Sequence, residues 1–231
     1  MNMNVLRIGH RGSKGYVAEN TLESINHAIL LGADGIEIDV FKCLSGELVL
    51  SHENNLKRLT GKSGQLEKLT LGELKKFLVV GKYKIPTLTD VLKTIETPLF
   101  VNIELKGLNT AQATSKIITN LSKSTSWRLE NFIISSFNWN ELEQFRSIDK
   151  NTPVGVLLSN SMSINEAIEF GKKINAQAIH PNFKLLNEKT VKKIKNNGFK
   201  IYTWTVNSKD DINYMKKFKV DGIISDFPDK I

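Results

Sequence analysis

Gly35-Ile36-Glu37-Ile38-Asp39-Val40-Phe41-Lys42-Cys43-Leu44-Ser45-Gly46-Glu47-Leu48-Val49-Leu50-Ser51-His52 is the stretch whose pattern decides the fold. Its first six residues alternate, and the two-residue period of a strand puts Glu37 and Asp39 on one face and Ile36, Ile38 and Val40 on the other. A second strand-like run occupies 47–51. Only 41–46 separates the two, too short for the helical crossover that parallel strands require. A hairpin turning at Ser45 and Gly46 is therefore expected. Counting back from a two-residue turn sets position 52 opposite position 39, which brings His52 to the level of Asp39.

Outward from this stretch, short runs of β-branched and aliphatic residues alternate with segments of helical period, the pattern of repeated βα units on a parallel sheet. Strands are predicted at 6–9, 35–40, 47–51, 99–105, 132–136, 153–158, 178–180, 200–205 and 222–225. Setting aside the hairpin arm 47–51 leaves the eight parallel strands of a closed TIM-type (β/α)8 barrel, whose functional residues gather at the C-terminal ends of the strands. Capping residues followed three positions later by a carboxylate mark helix starts at Asn20 with Glu23, Thr87 with Asp90 and Asn138 with Glu141. Gly198 ends the Lys-rich helix 187–196. The stretch 53–85, with turn signals at Gly61 and Gly64 and a helix over 70–78, reads as a small cap inserted beside the barrel mouth. No linker divides the chain, so 1–231 is read as one domain.

The chain has 231 residues, 40% apolar and 24% charged, the composition of a soluble globular protein and not of a disordered one. A single cysteine, Cys43, excludes an intramolecular disulfide and fits a reducing compartment. It lacks the cationic surroundings that activate a thiol. The segment from Met1 to Ile8 is too short for a signal peptide, and no apolar run reaches the length of a spanning helix, so a cytoplasmic location without membrane insertion is expected. The net charge of +8 suits an anionic ligand. Its lysines are scattered, and no recognition motif supports nucleic-acid binding.

The strand at 99–105 repeats the carboxylate device: Asn102, Glu104 and Lys106 share one face, Val101, Ile103 and Leu105 the other. Glu37, Asp39 and Glu104 pointing into one barrel would repel one another unless a cation intervened. Three carboxylates without a cysteine suit a hard ion, Mg²⁺ or Ca²⁺. Lys106, one period further on, is placed to meet a phosphate as a point charge. His10 and Arg11 follow the first strand between Gly9 and Gly12, where a barrel keeps reactive groups. His10 and His52 thus end strands at one mouth and read as an acid/base pair. His27, inside a helix, and His180, before Pro181, are read as structural, and Trp204 taken alone reads as core.

In order along the chain stand His10-Arg11-Gly12, Glu19-Asn20-Thr21, Glu37-Ile38-Asp39-Val40, His52, Ile85-Pro86-Thr87-Leu88, Glu104-Leu105-Lys106, Ser135-Ser136-Phe137, Trp204-Thr205-Val206-Asn207 and Ser225-Asp226-Phe227-Pro228. This series resembles the glycerophosphodiester phosphodiesterases from Gly9 to Pro228. The resemblance implies a barrel enzyme that hydrolyses glycerophosphodiesters to an alcohol and sn-glycerol 3-phosphate with one divalent cation. By position it implies Glu37, Asp39 and Glu104 as ligands, His10 and His52 as the acid/base pair, Arg11 and Lys106 on phosphate oxygens, and Trp204 against the glycerol. The family usually has His-Asp where this chain has His52-Glu53, and an Asn or Thr where it has Ser225. Water and the glycerol 2-hydroxyl both remain open as nucleophile. A lysophospholipase D or sphingomyelinase D-like enzyme is the nearest alternative. A non-catalytic phosphate-ester-binding barrel would be favoured by a missing histidine or ligand, and none is missing.

Overall fold

The structure is a computed structural model that describes residues 5–231; Met1 to Asn4, part of the segment read above for targeting, lie outside the described residues. Its strands are β1 (Leu6–His10), β2 (Gly35–Lys42), β3 (Leu48–Leu50), β4 (Leu78–Val79), β5 (Tyr83–Lys84), β6 (Phe100–Leu105), β7 (Phe132–Ser136), β8 (Val154–Leu158), β9 (Ala178–Pro181), β10 (Lys200–Thr203) and β11 (Gly222–Ser225). Parallel pairing runs β1-β2-β6-β7-β8-β9-β10-β11 and returns to β1, closing the expected eight-stranded barrel, with β3 hydrogen-bonded outside the ring to β2.

Each ring strand sorts its side chains by the period of two. Ile36, Ile38, Val40, Val101, Ile103, Leu105, Ile134 and Val156 face outward into the main core against the helices. Inside the barrel a smaller cluster of Ile8, Ile133, Ala178, Tyr202 and Ile224 fills the lower layers. Truncating one of the outward Ile or Leu side chains to Ala removes contacts worth about 2–5 kcal/mol, so this shell carries most of the stability. The interior near the mouth is polar. Gly155 shows how tight the interior is: a Cβ there would lie 2.2 Å from the His180 Nε2.

The hairpin departs from expectation by one residue. Cys43 pairs with Glu47 through its N–H to the Glu47 carbonyl at 2.9 Å, and the Gly46 N–H returns to the Cys43 carbonyl at 2.9 Å. The loop therefore has three residues, Leu44 to Gly46, with Gly46 at φ 101, a conformation that favours glycine. The register becomes Val40 opposite Leu50, and the Ser51 N–H reaches the Asp39 carbonyl at 3.2 Å. Ser51, not His52, is the residue beside Asp39. Because β3 ends at Leu50, His52 lies beyond the pleat, and a turn closed by the Ser51 hydroxyl on the Glu53 carbonyl (2.7 Å) sets its direction.

Two helix starts also differ in detail. Thr21, not Asn20, caps the helix Leu22–Leu30 by accepting from the Ser24 N–H, and Asn20 sits at φ 57 with its amide turned toward the barrel. Asn138 caps Trp139–Ile148 through Asn140 rather than Glu141. Thr87 and Asp90 form the expected reciprocal cap on Leu88–Thr94. Gly198, at φ +84, follows the helix Glu188–Asn196 as anticipated. In the insertion the helix expected over 70–78 is confined to Leu71–Leu74, because Leu78 leaves it to pair with Lys84 in the β4–β5 hairpin. The insertion packs on the hairpin through Phe41, Val49, Leu56, Leu66, Leu74 and Ile85. No helix among the described residues is long and apolar enough to cross a membrane.

Glu141, 2% exposed, does different work from the one expected. Its carboxylate accepts from the Asn109 N–H (2.7 Å), the Thr110 N–H (3.2 Å), the Thr110 hydroxyl (3.1 Å) and the Ala111 N–H (3.3 Å). It thereby caps the neighbouring helix Ala111–Ser124, whose own N-cap residue offers no side-chain bond. Glu141→Ala leaves those donors buried and unpaired. We expect it to lower unfolding stability by about 2–3 kcal/mol with an unchanged denaturant slope in urea titrations.

Candidate active site

β1, β2 and β6 lie side by side, and their register builds the site: His10 opposite Glu37, Glu37 opposite Asn102, and Asp39 opposite Glu104. One oxygen from each of Glu37, Asp39 and Glu104 lies within 4.8 Å of the other two. These carboxylates are between 1% and 7% exposed. Burial, then the charges of Asp39 and Glu104, holds the Glu37 carboxyl well above the usual carboxylate range. Burial first and Asp39 second push Glu104 up to about 7. The Asp39 Oδ1 is buried with no hydrogen-bond donor. An acceptor-only cluster with an orphaned oxygen fits a hard divalent cation and fits zinc poorly.

Arg11 stands in the left-handed region at φ 51, a conformation that costs about 1–3 kcal/mol outside glycine and that delivers its backbone N–H to the Glu37 Oε2 at 3.0 Å. Its guanidinium is clamped between the Glu19 Oε1 (2.7 Å) and the Asp39 Oδ2 (3.1 Å). The Lys106 Nζ lies 3.0 Å from the Glu104 Oε1 and faces an adjoining cavity over the Phe137 ring. Asn20, taken from the sequence as a helix cap, instead grips Asp39 twice: its Nδ2 donates to the Asp39 Oδ2 (2.9 Å), and its Oδ1 accepts the Asp39 N–H (3.2 Å).

The His10 Nδ1 is 2.6 Å from the Asp226 Oδ1. Asp226 is held in turn by the Asn207 Nδ2 (2.9 Å) and through its own N–H to the Asn207 Oδ1 (2.9 Å). A carboxylate on Nδ1 fixes the tautomer and turns Nε2 toward the carboxylate cluster, 3.9 Å from the Glu37 Oε2. Burial lowers the His10 pKa against the opposing pull of Asp226. His52 is lowered to about 4, by burial first and then by Arg11 and Lys106 against Asp39. Its Nδ1 has no partner, since the Glu53 Oε1 stands 3.7 Å away and is bound to the Arg58 Nε at 2.7 Å.

His10, Arg11, Glu37, His52, Glu104 and Trp204 line one cavity of about 90 Å³. Six of the predicted residues thus share one cavity, with Asp39 packed against Arg11 behind it and Lys106 lining the adjoining one, even though the register that was to bring His52 there is different. Trp204 is half-buried, its indole N–H spent on the His180 carbonyl (2.8 Å), so it offers the cavity an aromatic face set edge-on to Phe137. His27, hydrogen-bonded to Ser13, and His180, sealed inside the barrel, take no part in that wall. Asp226, Asn207, Asn20 and Glu19 were not assigned roles from the sequence. A carboxylate directly after the last barrel strand was the available signal for Asp226; the others depend on contacts between distant segments.

The glycerophosphoryl diester phosphodiesterase family model matches residues 10–230. The chain belongs to that family. A glycerophosphodiester phosphodiesterase of Caldanaerobacter subterraneus subsp. tengcongensis is 33% identical, over 99% of this chain and 97% of its own length. The crystal structure of a glycerophosphodiester phosphodiesterase from Thermotoga maritima superposes with a TM-score of 0.83 at 30% identity, covering 98% of this chain and 96% of that one. A phosphodiesterase from Oleispira antarctica, solved in complex with the product sn-glycerol-3-phosphate, gives 0.88 at 27% identity, covering 97% and 94%. The family and enzyme class implied by the motifs are borne out.

Glu19 anchors that site from outside. Arg11 and the Arg58 Nη2, each at 2.7 Å, hold its carboxyl down to about 2 despite burial. A carboxyl depressed in the folded state contributes stability above its unfolded value near 4.5 and loses it as pH falls through about 2. With Arg58 nearly half exposed, this contribution is on the order of 2–3 kcal/mol. Unfolding stability should fall between pH 5 and pH 2 in the parent protein, and Glu19→Gln should flatten that part of the profile.

Proposed function

We propose that this protein hydrolyses glycerophosphodiesters to an alcohol and sn-glycerol 3-phosphate, using a divalent cation, Mg²⁺ or Ca²⁺, held by Glu37, Asp39 and Glu104. The observation that carries the reading is the convergence of two histidines, one oriented by a carboxylate, on a cavity lined by Arg11, Glu37 and Glu104, with Asp39 clustered against those two carboxylates and Lys106 paired with Glu104. The named activity of the Caldanaerobacter relative and the product bound to the Oleispira neighbour support the substrate class.

When bound, the cation would supply Lewis-acid charge neutralisation at the phosphate's non-bridging oxygens. Arg11 and Lys106 would bind the same phosphate as prearranged positive charges, giving up part of their present pairing with Asp39 and Glu104. His10, with Nδ1–H committed to Asp226, presents a basic Nε2 and would take the proton of the nucleophile. His52, in the wall of the same cavity, would protonate the departing alkoxide. Trp204 and Phe137 would cover the glycerol carbons and keep water from that side. With water as nucleophile one displacement yields sn-glycerol 3-phosphate; with the glycerol 2-hydroxyl the alcohol leaves from a cyclic phosphate, which water would then open in a second displacement with the two histidines exchanging roles.

The decisive assay follows release of the head-group alcohol, choline or ethanolamine, from glycerophosphocholine, glycerophosphoethanolamine and a choline lyso-lipid, after chelation and after readdition of each metal. We expect hydrolysis of the water-soluble diesters to vanish on chelation and return with the cation; cation-independent or absent turnover would overturn the reading. His10→Ala and His52→Ala should each lower kcat by about 10²–10⁴ while calorimetric cation binding persists. Asp226→Asn, which spoils the orientation of His10 without removing it, should lower kcat by about 10–100-fold with little change in KM.

A further inference from the structure

Asn102 stands in the wall of the cavity and is 1% exposed, yet the chemistry above does not use it. It lies on β6 beside Glu37, one layer further into the barrel than Glu104. The Ser135 hydroxyl, on the neighbouring strand β7 and fully buried, donates to the Asn102 Oδ1 at 2.7 Å. With the Ser135 hydroxyl donating, the amide oxygen is the bonded end of the side chain and the amide nitrogen the free one. The Asn102 Nδ2 has no partner. Buried amide donors are nearly always paired, so an orphan at the wall of a binding cavity marks a place for an acceptor.

The surroundings say what kind of acceptor. Glu37 already receives the Arg11 N–H, and Glu104 receives Lys106. Charged oxygens of a phosphate find Arg11 and Lys106 near the mouth. On the far side the cavity is walled by Phe137, Leu157 and Ile224, and by Trp204, whose N–H is already spent. Asn102, on the charged wall but one layer deeper than Glu104, would meet a neutral oxygen of the ligand's carbon part as a donor at the boundary of the two halves. Resting on the function proposed above, we propose that the Asn102 Nδ2 donates to a hydroxyl oxygen of the substrate's glycerol moiety, and that Asn102, oriented by Ser135, selects a hydroxylated alcohol over its deoxy counterpart.

The test reads binding and not turnover, so that loss of a reacting hydroxyl does not confuse it. Dissociation constants are measured by calorimetry at saturating Mg²⁺ for glycerol 3-phosphate and for the phosphates of propane-1,2-diol and propane-1,3-diol. The parent protein, Asn102→Leu and Ser135→Ala are compared. In the parent, at least one deoxy analogue should bind about three- to tenfold more weakly than glycerol 3-phosphate. In Asn102→Leu, glycerol 3-phosphate should fall to the affinity of that analogue, while the analogue itself changes by less than about twofold. Ser135→Ala, which frees the amide to turn over, should give a smaller loss in the same direction, and it serves if the leucine variant does not fold. Equal losses for all three ligands, together with weaker Mg²⁺ binding, would make Asn102 a support for Glu37 and overturn the proposal; so would an unchanged preference. A parent protein that binds glycerol 3-phosphate and hydrolyses the diester but shows no such cycle sinks this inference alone. One that does neither sinks both readings.

Discussion

Three carboxylates driven into the interior of one small barrel are the constraint around which the rest of this structure is arranged. The strand period and the β2–β6 register leave Glu37, Asp39 and Glu104 no other place to point. Their mutual repulsion and desolvation hold Glu37 and Glu104 far from their ordinary acidity, and the compensations are visible in every neighbouring segment. Arg11 accepts a strained backbone to offer Glu37 an N–H, Asn20 leaves its capping position to grip Asp39, and Lys106 folds back on Glu104. Even the insertion contributes, since Arg58 secures Glu19, which in turn holds Arg11. A cation held by the three oxygens would complete a balance that Arg11 and Lys106 leave unfinished at the Asp39 Oδ1.

That dependence explains which parts of the molecule could be read from the chain. Period-two alternation is local, so the faces of β2 and β6 and the barrel they imply were legible from residues 35–40 and 99–105 alone. The hairpin register was not, because it turns on whether Gly46 adopts φ 101 in a three-residue loop or shares a two-residue turn. The slip would have turned every side chain of a longer β3 to the other face. It does little harm to the site because β3 stops at Leu50 and His52 is aimed by the Ser51 turn. Asn20 and Glu141 were misread for a common reason: each obeys the local rule for a helix start, yet each has a buried partner distant in sequence, Asp39 and the Thr110 end of the next helix, that outbids it. Local capping is worth about 1 kcal/mol, and a buried charged acceptor with several donors is worth more.

The cavity divides into two halves of different chemistry, and the division follows the ring order. β1, β2 and β6 supply the charged half. β8, β10 and β11 supply Leu157, Trp204 and Ile224, with Phe137 after β7 closing the boundary. A ligand bearing a phosphate at one end and carbon at the other is matched end for end, which no feature of composition or net charge could have indicated. The same division explains why His180 is not part of the site although it points inward. It belongs to the apolar half, packed edge-on to Tyr202 and over Gly155, where burial alone drops it to about 3 and keeps it neutral.

The two histidines of the proposed mechanism are not equivalent, and the difference is the reason for proposing His10 as base and His52 as acid. His10 is anchored at Nδ1 by Asp226, which Asn207 holds from two sides, so the imidazolium formed on taking a proton is stabilised where it stands. His52 has no such anchor. Glu53, one methylene longer than the aspartate usual at this place in the family it resembles, spends its nearer oxygen on Arg58 and stops short of the ring. With burial and the charges of Arg11 and Lys106 holding it neutral, His52 would, in the proposed mechanism, gain its proton as a bound phosphate offsets those cations. Arrival of the phosphodiester would therefore itself arm the acid, while the base is armed by the fold.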